Sequence, residues 1–205
     1  LFYPAPWRRE MVDVDLLVLE RDLDRALTAL ARGGARVEPV PADRIRSYQR
    51  LGERQVAVRV GDATVYFELH TSLDKVVLRP IPTEAVVDRA TPHSALGQLL
   101  VPCHIDHLLL VVCHQANSDF RHEIGWLDLD LMLRQPHDGQ LLFERAARWK
   151  LQTALYVTLV TLRALGSRHV PADLERLEPS WWRKGLIARR LALGSYPPSR
   201  GEPPQ

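Results

Sequence analysis

A chain of 205 residues, 46% hydrophobic and 25% charged, has material for a substantial core and length for one large or two small domains. Its formal net charge of +2 excludes a protein that coats nucleic acid by charge alone. Two cysteines, Cys103 and Cys113, lie in an apolar segment and imply reduced core residues, not a disulfide framework. No run approaches the ~20 uncharged apolar residues of a membrane span, and no signal peptide is visible, so a cytoplasmic protein without a membrane partner is expected.

In chain order, VDVDLLV over 12–18 predicts a strand. Residues 22–32 predict an amphipathic helix, with Leu23, Ala26, Leu27 and Leu30 at helical spacing and Gly33 and Gly34 as its stop. Extended segments follow over 45–51, 55–60 and 64–70, and Gly61–Asp62 between the last two favours a hairpin. In the third, Val65, Phe67 and Leu69 point one way and Tyr66, Glu68 and His70 the other. Residues 71–100, with Pro80, Pro82 and Pro92, read as a connection holding one short helix. Helices are expected over 101–115, 121–134, 140–149, 151–165 and 180–193, then a disordered Pro-rich tail. The expected fold class is α+β: a small mixed β-sheet core over 1–95, an α-helical bundle over 96–193 and the tail over 194–205.

The chemistry starts at the first strand. Residues i and i+2 of a strand share a face, so Asp13 and Asp15 project together, about 6–7 Å apart at their roots. Adjacent carboxylates repel unless a cation compensates, and Mg²⁺ accepts one or two carboxylates while filling its other positions with water and phosphate oxygens. Glu68, on the polar face of a later strand, is the candidate third acid of a two-metal site. A merely solvated sheet face explains the same alternation.

The order of the segments adds to this. RREMVDVDLLVLERDLDRALTALARGGARV resembles the nucleotidyltransferase superfamily pattern of an Arg-led acidic strand, a helix and a Gly-bearing turn. VYFELH is similar to the later strand that carries the third acid. LLVPCHIDHLLLVVCHQANSDFRHEIGWLDLDLML resembles the helical part of the uncharacterised bacterial nucleotidyltransferase family 5, at Asp106, His107, His114, Trp126, Leu127 and Asp128. The resemblance spans about 8–165 and implies a minimal nucleotidyltransferase core over 1–95. It implies two Mg²⁺ ions held by Asp13, Asp15 and Glu68, and ATP or another nucleoside triphosphate as co-substrate. The implied reaction transfers a nucleoside monophosphate to a hydroxyl of a small molecule or peptide. A toxin-like transferase acting on tRNA or protein, and an inactive module that binds a nucleotide or a partner, are the alternatives. The superfamily's Gly-Ser turn before the acids is not found in LFYPAPWRREMV. A missing N-terminus is the expected reason, since Leu1 is not Met.

The remaining candidates carry two readings each. Arg8 and Arg9 are candidate triphosphate contacts or plain surface charge. His70 shares a face with Glu68 and is a candidate substrate contact or a hydrogen-bonded strand histidine. Asp106, His107 and Asp128 are candidates for holding the acceptor, with either acid as a general base or else an arginine partner. His104, His107 and His114 fall within an ~80° arc of one helix beside Cys103; packing or cleft lining is the expected role, a zinc site the alternative. Trp181 and Trp182 are expected to close the helical core, with a stacking platform as the alternative.

Overall fold

The structure, a computed structural model, describes residues 13–37, 52–74, 79–93 and 99–194, together with Tyr3, Arg9 and Gly97. The expected strand over 45–51 and the Pro-rich tail from 195 lie outside the described residues. Strand β1 (Asp13–Leu17) leads through a 3-10 turn at Glu20–Asp22 into helix α1 (Leu23–Arg32). Gly34 ends that helix at φ +90°, a left-handed conformation that suits glycine, and the Ala35 amide donates back to the Leu30 carbonyl at 3.0 Å. A two-residue strand β2 (Arg36–Val37), too short to show as a pattern in sequence, precedes β3 (Glu53–Val60) and β4 (Ala63–His70). The β3–β4 hairpin turns at Gly61, φ +60°, as its Gly-Asp pair predicts.

The sheet order is β1-β4-β3-β2. Strand β1 pairs parallel with β4, while β3 pairs antiparallel with both β4 and β2, so the sheet is mixed. Val56 and Leu69 are buried on one face, with Val14, Leu16, Val65 and Phe67 half-buried beside them in the alternation. Leu23, Ala26, Leu27 and Leu30 of α1 are likewise half-buried, and the intervening polar residues are exposed.

Beyond the sheet come α2 (Thr83–Asp88), a ribbon of β5 (Thr91–Pro92) with β6 (Leu100–Val101), and helices α3 (His104–Asn117), α4 (Glu123–Leu133), α5 (Gly139–Arg148), α6 (Gln152–Ala164) and α7 (Trp181–Gly194). The main core sits here, built from Leu108, Leu109 and Val112 of α3, Leu129 and Met132 of α4, Leu142 of α5, Trp149, and Leu155 and Leu159 of α6. Each such leucine, removed from water, contributes about 1.5–3 kcal/mol. Leu17 of β1 and Leu73 after β4 pack against the same core and join the sheet to the helices. Cys113 is buried and Cys103 half-buried, both as free thiols. Among the described residues no helix is long and apolar enough to cross a membrane.

On α6, Leu155, Leu159 and Leu162 are buried, while Val160 and, just past the helix, Leu165 are exposed. One expectation about the helices needs correction. Trp181 and Trp182 do not close the core: Trp181 is 84% exposed and Trp182 49%, with the Arg183 guanidinium 5.1 Å from the Trp182 ring. The short 3-10 segment before α7 fills that place instead, through buried Leu174 and Leu177.

Candidate functional site

The register of the parallel pair sets the chemistry. Asp15 lies opposite Glu68, and Leu17 opposite His70. Because Asp15, Glu68 and His70 fall on the polar face of adjacent strands, their side chains meet. His70 Nε2 is 2.8 Å from Asp15 Oδ1 and 3.6 Å from Glu68 Oε2. The first distance is a hydrogen bond; the second is a close electrostatic contact. One ligand atom from each residue lies within 4.8 Å of the other two. Gln55, opposite Glu68 on β3, donates from Nε2 to Glu68 Oε1 at 3.0 Å and so fixes the carboxylate with Oε2 toward His70. Sequence reading alone does not find Gln55, because only the β3–β4 register places it there.

Burial grades across this group. The Glu68 side chain is 14% exposed and that of His70 11%, whereas Asp15 is 64% exposed. The inner two members are held by the fold, and the outer one faces solvent and any arriving ligand. Metal–ligand bonds of about 2.1 Å put neighbouring donors about 3.0–3.4 Å apart. Two carboxylate oxygens and an imidazole nitrogen within 4.8 Å of one another could hold one divalent cation once the side chains draw in to these spacings. Asp13 stands outside the group. It is exposed on the same face of β1 but opposite Tyr66, one side-chain repeat away from Glu68.

The other candidate residues are distributed as follows. Arg8 lies outside the described residues. Arg9 meets Asp128 of α4: its Nε is 3.0 Å from Oδ1 and its Nη2 2.9 Å from Oδ2. Tyr3 donates to the same Oδ1 at 2.7 Å. Burial, and then the hydrogen bond to Asp128, push the Tyr3 phenol up to about 12. The bond to Asp128 also raises the Arg9 pKa, with the nearby Asp13 charge a smaller contribution. One candidate residue thus engages another, and Tyr3 and Arg9 are both tied to α4 through Asp128. His107 is half-buried near both; burial first, then the neighbouring His104, push its imidazole below its ordinary value.

Asp106 is fully buried, with Oδ2 2.9 Å from Arg89 Nη2 and Oδ1 2.7 Å from Arg145 Nη1. Of its two readings, this geometry matches the arginine partner, because no edge of the carboxylate reaches solvent. His104 packs near His137 with ring centres 6.0 Å apart, and exposed His114 lies 4.8 Å from His122. Among the described residues, none of these histidines joins a cluster with metal-ligand spacing. An open groove of about 440 Å³ lies between α4 and the end of α6, lined by Trp126, Asp130, Arg134 and Ser167 among others. It shares no residue with the acid–imidazole group.

A family model described as uncharacterised nucleotidyltransferase matches residues 1–166. No curated protein and no solved structure matches the chain significantly.

Proposed function

Because this chain belongs to the uncharacterised nucleotidyltransferase family, we propose that it is a metal-dependent enzyme that moves a nucleoside monophosphate from a nucleoside triphosphate, such as ATP, to a hydroxyl of a small molecule or peptide. The supporting observation is the convergence of Asp15, Glu68 and His70 from two paired strands onto one point of the sheet face. Asp15, mostly exposed, holds the cation and meets the incoming triphosphate. Asp13, on the same face one repeat along, extends the anionic track and shares in holding the ions. Glu68, fixed by Gln55, holds the cation from the inner side and accepts the proton of the attacking hydroxyl. A bound divalent cation, Mg²⁺ in the simplest form, supplies Lewis-acid charge at the phosphate oxygens. The acceptor oxygen attacks the α-phosphorus in line. A new oxygen–phosphorus bond forms, the bond to the β-phosphate bridging oxygen breaks, and pyrophosphate leaves with its electron pair.

The test is direct. The protein is incubated with each α-labelled nucleoside triphosphate, a divalent cation and a library of hydroxyl acceptors. Mass spectrometry then reads the added nucleotide, and released pyrophosphate is counted. Asp15→Ala and Glu68→Gln should each cut transfer at least about a hundredfold, with the fold intact by circular dichroism. Equal labelling by parent and variants would show the assignment to be wrong.

A further inference from the structure

The three side chains that converge at the sheet face are two carboxylates and an imidazole, not three carboxylates. We propose, building on the nucleotidyl-transfer reading, that His70 is a direct ligand of the catalytic ion and that the site accordingly prefers Mn²⁺ to Mg²⁺. Three observations carry this. His70 Nε2 lies 2.8 Å from Asp15 Oδ1, whereas Asp13 is not within the cluster. Any cation seated between Asp15 and Glu68 therefore meets the imidazole. The His70 ring is also buried while Asp15 is open to solvent. Burial restricts rotation of the ring and holds Nε2 beside both carboxylates. Finally, Gln55 directs the Glu68 oxygen that remains toward His70.

The ligand chemistry then selects the ion. Mg²⁺ favours carboxylate, phosphate and water oxygens and binds imidazole weakly. Zn²⁺ is content with three protein donors and one further ligand, whereas a triphosphate and an acceptor call for an ion that keeps several positions for phosphate oxygens and water. Mn²⁺ accepts carboxylate oxygens, water and an imidazole together and keeps open positions for phosphate oxygens.

Electron spin-echo spectroscopy of the Mn²⁺-loaded protein tests the first half. A directly bound nitrogen-14 should modulate the echo in the parent and vanish in His70→Gln and His70→Asn. Titration by calorimetry tests the second half: the ratio of Mn²⁺ to Mg²⁺ affinity should fall by about tenfold or more in both variants. Bound Mn²⁺ without nitrogen modulation in the parent, or a ratio unchanged within about twofold in both variants, overturns the inference. Nucleotidyl transfer supported by Asp15 and Glu68 would survive that result. Failure of the parent to bind either ion would instead remove the metal-dependent reading as well.

Discussion

Asp106→Ala separates a structural acid from a catalytic one. The carboxylate is fully buried between Arg89 and Arg145, whose side chains are 33% and 12% exposed. Its removal leaves the Arg145 charge in a low-dielectric site with no counter-ion. Breaking a buried pair in this way costs about 3–5 kcal/mol. Arg89 is exposed enough to turn toward water, which places the expected loss near the lower end, about 3 kcal/mol. For a chain of this size each kcal/mol moves Tm by roughly 2–4 °C, so the midpoint should fall by about 6–12 °C. Differential scanning calorimetry, with urea titration as a second measure, reads this. Replacing all three residues with apolar ones of matched size should restore most of the loss, because the desolvation cost disappears with the charges. A shift under about 2 °C, combined with a large loss of nucleotide transfer, would refute the structural role and return Asp106 to the substrate.

Gly125→Ala should destabilise by about 1–3 kcal/mol, since the new Cβ would sit 2.2 Å from Gln115 Nε2, which is buried and bonded to the His122 carbonyl at 2.7 Å; chemical denaturation measures it. His107 links stability to pH. Burial lowers its pKa, so the unfolded chain binds the proton first as pH drops below about 6.5, and the fold weakens through that window and not above it. His107→Gln should flatten the fall in Tm between pH 7 and pH 5. Asp128→Ala should lower the Tyr3 phenol part of the way from about 12 toward 10: burial, the largest cause of the shift, remains, while the hydrogen bond and charge of the carboxylate are lost; absorbance titration of tyrosinate follows this.

The alternating strands and the five long helices are legible from residue spacing, because each rests on a local period of two or 3.6, and the hairpin is legible from its Gly-Asp turn. Glu68 is legible as the partner of the first strand's acids because its alternation marks a polar face. The short strand β2, the ribbon of β5 and β6, and the exposed position of Trp181 are not, since each depends on which neighbour covers a segment and not on the segment itself.

The site shows the same division. The amino-acid order alone determined that Asp13 and Asp15 share a face and that Glu68 and His70 share another two residues apart. Only the pairing of β1 with β4 decided that Asp15, and not Asp13, stands opposite Glu68, and that His70 closes the group. A shift of that register by two residues would exchange Asp15 for Asp13 while preserving every local pattern. Registers are fixed by long-range hydrogen bonds and by the burial of Leu17 and Leu69, which no short window of sequence contains. Likewise, Asp106 and Asp128 look alike as acids on helices. Their surroundings differ because Arg89 and Arg145 reach one, and Arg9 and Tyr3 the other, across more than a dozen intervening residues in every case.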